Sequence, residues 1–295
     1  MKELKLKAMA KINLGLDVLR KREDGYHDLR MIMQTIRLYD KVQLTVTEAS
    51  GIRVKTNLSF LPVNEDNLVY RAAKLLMEEF DIQKGVFINL EKHIPVAAGL
   101  AGGSSDAAAV LVGINRLFRL GLSREALMER GVKLGADVPY CILRGTALAE
   151  GIGERLTPLP EPVPCHVLIA KPKIHVSTKF VYGNLKADEI TEHPDIDGQI
   201  AALEAGDLYA LAKRMGNVLE MVTIPAFPVI QEIKEEMCRM GAVNAMMSGS
   251  GPTVFGLFDD KAAARRAYEK LKKGSIAKQV YLTEFFYNGG NRHDR

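Results

Sequence analysis

Apolar and polar residues alternate along much of the first sixty positions, a pattern that predicts strands. Ile12-Asn13-Leu14-Gly15-Leu16-Asp17-Val18 puts an apolar side chain at every second place, the period of a half-buried strand. Residues 31–38 and 42–47 are predicted as two further strands, with Val42, Leu44 and Val46 on one face. The polar stretch before them, residues 21–28, contains the turn signal Asp24-Gly25. At Asn64-Glu65-Asp66-Asn67 the pattern changes. These side chains can accept hydrogen bonds from the first turn of a helix, so a helix is predicted from about residue 68 to 80. Leu68, Ala72, Leu75, Leu76 and Met77 would form its buried face.

Alternation returns at Val86, Ile88 and Leu90 and leads into a glycine-rich loop and an alanine-rich helix ending near Phe118. Another helix should begin at Leu122-Ser123-Arg124-Glu125 and reach about Leu134, followed by a strand-like apolar run beyond Cys141. Residues 145–153 form a small-residue segment, and Pro158-Leu159-Pro160-Glu161-Pro162-Val163-Pro164 reads as a stiff linker. The domain boundary is expected there, giving units 1–160 and 161–295. Strands are predicted in the second unit at 165–170, 242–247, 254–258 and 279–286, with helices at 177–184, 207–222, 228–240 and 261–272. This order predicts an antiparallel sheet with helices on one face, and an α+β protein as a whole. The polar tail from Asn288 is expected to fray.

Composition adds limits rather than a function. The chain has 295 residues, enough for two cores, and a net charge of +4. Lysines and arginines are scattered, so no basic face for nucleic acid is expected. No apolar run approaches the 18 or so residues that a membrane span needs, and the N-terminus lacks the apolar core of a signal peptide. Cys141, Cys165 and Cys238 lie far apart with no zinc spacing and are expected as small buried hydrophobes. A cytoplasmic protein is expected.

The candidate chemistry centres on Pro95-Val96-Ala97-Ala98-Gly99-Leu100-Ala101-Gly102-Gly103-Ser104-Ser105. Glycines let the backbone approach a ligand, and the start of the following helix offers unpaired N–H groups and a favourable dipole to an anion. The loop is therefore read as a phosphate site. It is not a P-loop, because no G-x-x-x-x-G-K-[ST] string occurs. Gly249-Ser250-Gly251 lacks the third glycine of a dinucleotide fingerprint and lies near the C-terminus.

Ala10-Lys11-Ile12-Asn13-Leu14, the loop above, and Ser248-Gly249-Ser250-Gly251-Pro252-Thr253 resemble, in order and position, the three motifs of the GHMP small-molecule kinases. Asp24-Gly25-Tyr26-His27, the extended loop through Ala108, and Gly135-Ala136-Asp137-Val138-Pro139 make the chain most similar to one branch. That branch phosphorylates the 2-hydroxyl of a cytidine diphosphate-linked methylerythritol in the non-mevalonate isoprenoid route. Homoserine and mevalonate kinases of the same superfamily, and a non-catalytic nucleotide-binding relative, are the alternatives. The resemblance implies a ribosomal-protein-S5-like N-terminal domain and a ferredoxin-like C-terminal domain with substrates between them. It also implies ATP and Mg²⁺, with no nucleic-acid or membrane partner, and leaves monomer and homodimer both open.

By the same resemblance, Asp137 is the base that takes the proton from the acceptor hydroxyl. Without it, Asp137 reads equally as a turn or cap residue before Pro139. Lys11 would sit beside Asp137 and keep it ionised. Tyr26 would stack on the cytosine, His27 or its backbone would bond the base edge, and Tyr182 would close the other face. Asn13 is expected on the erythritol or diphosphate part. The N–H groups of residues 99–105 would hold phosphates, with Ser104 or Ser105 touching Mg²⁺ or capping the helix. Asn67 is either an adenine contact or a plain cap. Residues 249–253 border the cleft or merely connect two strands. His93, His166, His175, His193 and His293 are read as structural or surface residues, and no acid is spaced for the metal.

Overall fold

The computed structural model describes residues 2–287; the tail from Asn288, with His293, lies outside them. Six strands form the first sheet: β1 (Glu3–Lys21), β2 (His27–Thr47), β3 (Ile52–Thr56), β4 (Gly85–Glu91), β5 (Thr146–Gly151) and β6 (Arg155–Pro158). Its order is β3-β4-β2-β5-β6, with β1 paired to β2 along almost its whole length. The two strands expected at 31–38 and 42–47 are therefore one. Between the two predicted runs, Asp40 turns inward and accepts from the N–H groups of His93 and Ile94. A charged side chain with partners of its own does not interrupt a ladder.

Four helices belong to this half, α1 (Leu68–Glu79), α2 (Gly102–Phe118), α3 (Arg124–Val132) and α4 (Val138–Leu143); α1, α2 and α4 pack on the sheet, and α3 packs on α2 and α4. Asn67 and Ser123 cap α1 and α3 as expected. The strand-like run predicted beyond Cys141 instead continues the helix α4, and the small-residue segment that follows holds β5. Pro139 at the first turn presets the helical φ. The Tyr140 hydroxyl fixes α4 on the sheet by donating to Gly145 O at 2.7 Å. Here tertiary contacts override the strand propensity of six apolar residues.

The chain leaves the first sheet after β6 and enters a second, antiparallel one in the order β10-β7-β9-β8. Its strands are β7 (His166–Lys171), β8 (Asn244–Met247), β9 (Val254–Phe258) and β10 (Gln279–Glu284). Two helices, α9 (Val229–Arg239) and α10 (Lys261–Lys273), cover one side of it. Four shorter ones complete this half: α5 (Thr178–Asn184), α6 (Ile196–Ala205), α7 (Leu208–Arg214) and α8 (Glu220–Ala226). The sequence reading missed α6, although Asp195 caps its start and left-handed Gly206 its end. It also ran α7 and α8 together. Between them Gly216 O accepts from Leu16 N at 2.9 Å and Val218 N donates to Leu16 O at 3.1 Å, so 216–218 clips onto β1 as extended chain.

An apolar layer joins the two sheets. Ile12, Leu14, Ile32 and Ile36 of the first share one buried cluster with Val167, Ile169, Phe255 and Leu257 of the second. Because strand side chains alternate, burying Ile12 and Leu14 there turns Lys11 and Asn13 to the opposite face. Register shifts on either side, between Met9 and Lys11 and between Asn13 and Gly15, re-aim this short piece of β1. Among the cysteines, Cys141 and Cys165 are buried and free, but Cys238 is exposed, contrary to expectation. Among the described residues no helix is long and apolar enough to cross a membrane.

Candidate active site

A cavity of about 910 Å³ runs between the two halves. At one end lies the loop 95–105. Ala97, Gly99 and Ala101 all take left-handed conformations, with φ of 51°, 73° and 55°. Two alanines so placed are strained, a condition that persists where the surroundings impose it. A Cβ at Gly99 would stand 2.1 Å from Ser248 O, so only glycine fits there. The reason is contact between the two glycine-rich segments: the Ser248 hydroxyl donates to Gly99 O at 3.0 Å.

Helix α2 opens directly from this loop. Among the described residues the N–H groups of Gly102, Gly103 and Ser104 have no acceptor, as expected for a first turn. They face a cavity lined by Pro95, Val96, Ala97, Ala98, Gly99, Ala101, Gly102, Gly103 and Ser104. Two of the expected contacts do not reach it. Leu100 is buried and its carbonyl accepts from Lys11 N at 3.2 Å. Ser105 donates its hydroxyl to Met9 O at 2.6 Å and its N–H to Ala101 O at 2.9 Å, and its buried side chain does not line the cavity. Asn67 borders the cavity, but its amide accepts from Val69 N and donates to Pro62 O at 2.7 Å. The capping role is realised.

Beneath the loop is a buried charge cluster that the sequence reading did not anticipate. Lys92 Nζ donates to Asp40 and, at 2.6 Å, to Asp106. Asp106 falls within the extended loop motif, and a carboxylate followed by three alanines at the start of a helix is the signal that could have singled it out. Burial and the neighbouring Asp40 push its carboxyl above the usual range, against the pull of Lys92. Its other oxygen, Oδ1, has no hydrogen-bond partner among the described residues. Lys92 and Asp106 both line the cavity floor, and the cluster ties α2 to β2 and to the end of β4.

Mid-cavity stands Asp137. It occupies the cap position of α4 without making a capping bond, and its carboxylate has no hydrogen bond or ion pair among the described residues. Lys11 lines the same cavity but does not touch it. Its ammonium donates to Asn13 Oδ1 at 2.7 Å, and Asn13 in turn rests on Met31 Sδ. Lys11 and Asp137 thus line one cavity without an ion pair among the described residues, a cation and an anion on either side of a gap. The charges of both reach Cys141, Asp137 raising and Lys11 lowering the pKa of its thiol, although burial is the larger cause of its upward shift.

At the far end the β1–β2 hairpin brings Tyr26 and His27 to the wall. Tyr26 is exposed, while His27 is buried against Tyr182 of α5, ring centroids 5.1 Å apart and planes tilted by 38°. His27 Nε2 is buried with no hydrogen-bond partner among the described residues. Burial, with Lys21 adding, lowers the histidine's pKa, so the ring is neutral near pH 7. Burial also raises the Tyr182 pKa, and the charge of Asp137 adds to the effect.

Gly249, Ser250 and Gly251 complete the rim. They are more than a strand connection, since Asn217, another unanticipated residue, holds them. Its amide donates to Met247 O at 2.9 Å and Gly249 O at 2.8 Å. His175, expected to be structural or on the surface, also borders the cavity. Among the described residues no three His, Cys, Asp or Glu side chains form a metal cluster.

Comparison with known proteins gives this geometry its context. Residues 67–145 match the GHMP kinases N terminal domain and residues 199–276 the GHMP kinases C terminal domain. A 4-diphosphocytidyl-2-C-methyl-D-erythritol kinase from Lachnoclostridium phytofermentans is 60% identical over 283 residues, 96% of this chain and 97% of its own. One of the same name from Lachnospira eligens is 56% identical over 286 residues, 97% of this chain and 99% of its own. The chain belongs to the GHMP kinase family. A crystal structure of a 4-(cytidine 5'-diphospho)-2C-methyl-D-erythritol kinase covers 96% of this kinase and 99% of its own chain, at 34% identity and a TM-score of 0.82. A homoserine kinase from Cytophaga hutchinsonii, 22% identical with a TM-score of 0.77, shares the fold. This kinase is an ATP-dependent enzyme acting on a small molecule.

Proposed function

We propose that this kinase transfers the γ-phosphate of ATP to the 2-hydroxyl of 4-diphosphocytidyl-2-C-methyl-D-erythritol, giving the 2-phosphate and ADP on the non-mevalonate route to isopentenyl diphosphate. The observation that carries this reading within the family is the buried, unpartnered His27 Nε2 beside Tyr182, set across the cavity from the free N–H groups of α2. A planar heterocycle with hydrogen-bonding edges suits the first; a phosphate chain suits the second. The names of the relatives support the same substrate. The ATP-binding half is assigned to residues 1–160 and the remainder to a second domain. The enzyme is assigned to the cytosol, as a monomer or homodimer acting without nucleic acid.

In the mechanism, the first turn of α2 holds the phosphates and His27 with Tyr26 and Tyr182 holds the base. Together they present the 2-hydroxyl between Asp137 and the γ-phosphorus. Asp137 takes the hydroxyl proton as the oxygen attacks, and the bond from phosphorus to the β–γ bridging oxygen breaks. The Lys11 ammonium, steadied by Asn13, offsets negative charge gathering in the gap. Magnesium fits this donor set as an ion carried chiefly by the nucleotide. Ser104 borders the cavity and Asp106 offers an unpartnered oxygen, and these residues would complete its coordination. Bound there, it supplies positive charge to the phosphate oxygens.

Incubation with ATP and the cytidyl alcohol, followed by phosphorus NMR, should give the 2-phosphate and stoichiometric ADP. Phosphorylation of homoserine or mevalonate instead would overturn the assignment. The neutral imidazole also sets a pH dependence. Its pKa lies below the ordinary value of 6.5, so KM for the cytidyl substrate should stay flat above pH 6.5 and rise only at lower pH. In His27→Ala that acidic limb should vanish and KM should be high throughout.

A further inference from the structure

Three lysines line the cavity: Lys11, Lys92 and Lys179. The first is engaged with Asn13 and the second with Asp40 and Asp106. Lys179 alone of the three has no hydrogen bond or ion pair among the described residues. Its backbone is nonetheless well fixed. Ser177 caps α5 by accepting from Phe180 N, and Thr178 shares a 2.8 Å hydroxyl–hydroxyl bond with Ser250 on the glycine turn. Tyr182 follows three residues later, so it shares a helix face with Lys179. Lys179 therefore lines the cavity from a helix held to the glycine turn at Thr178 and to His27 at Tyr182.

We infer that Lys179 is a specificity-determining residue of the acceptor site, its ammonium reading the diphosphate that joins base to polyol. The inference rests on the proposed substrate. With the base on His27 and Tyr182 and the reacting hydroxyl at Asp137, the diphosphate falls on the stretch of wall that α5 forms. An anion arriving there also meets the unpaired Asp137 carboxylate, and a nearby cation offsets that repulsion. The ATP phosphates are the other possible anion. The free N–H groups at the head of α2 already serve those, whereas Lys179 shares its helix with the aromatic contact to the base.

The test is calorimetric titration of wild type, Lys179→Ala and Lys179→Arg with cytidine and with CDP, the ATP site being filled by a non-hydrolysable analogue. Lys179→Ala should weaken CDP about tenfold and cytidine by less than about twofold, leave KM for ATP unchanged, and flatten the salt dependence of CDP binding. Lys179→Arg should recover most of the loss. Cytidine binding with an unaltered CDP-to-cytidine ratio in Lys179→Ala would overturn the Lys179 assignment alone. A raised KM for ATP with normal CDP binding would move the residue to the donor side and overturn it equally. Failure of wild type to bind cytidine would overturn the base site, and this assignment with it.

Discussion

Asp137→Asn is expected to lower kcat by about 10²–10⁴-fold while KM for ATP stays within about twofold. The asparagine keeps the size of the side chain and loses only the ability to accept a proton as an anion. Because the Asp137 carboxylate makes no capping bond and no ion pair among the described residues, nothing structural depends on its charge. The variant should therefore fold with unchanged stability, which separates a chemical loss from a structural one. Steady-state ADP release with both substrates saturating reads the effect. A variant with near-normal kcat would remove Asp137 from the proton transfer and leave the gap between it and Lys11 without a chemical role.

Lys92→Met should be the most destabilising single change near the site, at about 3–5 kcal/mol, because it strands two buried carboxylates. Asp40 keeps its two backbone donors, His93 N and Ile94 N, so most of the strain falls on Asp106. Removing that second charge as well, in Lys92→Met/Asp106→Leu, should recover part of the loss. Urea unfolding of the two variants beside wild type measures both steps; a double variant no more stable than the single one would refute the account. The lysine pKa is raised by its two carboxylates despite the opposing effect of burial. Its stabilising contribution is therefore complete below the unfolded value of 10.5 and is lost as pH rises through the higher folded value. Above pH 10.5 wild type should lose stability faster than Lys92→Met.

The parts of this site that the sequence revealed are contiguous strings. Residues 95–105, 10–14 and 248–253 carry their chemistry in neighbouring positions, and Asn67 and Ser123 announce helix starts in one residue each. What escaped was made by distance along the chain. Lys92 meets Asp40 across 52 residues and Asp106 across 14, and no periodicity relates them. Asp40 carries no local sign of its role, since its partners lie far along the chain. The segment 216–218 was read as helix because its pairing with Leu16 is invisible locally. The resemblance put Lys11 beside Asp137; both line the cavity, with no ion pair between them among the described residues. Helix α4 shows the converse case, in which strand-forming residues take a helix because a proline starts it and a tyrosine anchors it.

The bond from Ser248 to Gly99 O, with the close approach that excludes a Cβ at Gly99, has a bearing on how the cleft can breathe. The two halves of the molecule are tied together at the Gly99–Ser248 contact on the cavity wall, and again where 216–218 pairs with β1. Widening at that point would have to break backbone-level contacts on both sides. The tie between Gly99 and Ser248 therefore fixes the spacing of the two glycine-rich segments that border the cavity.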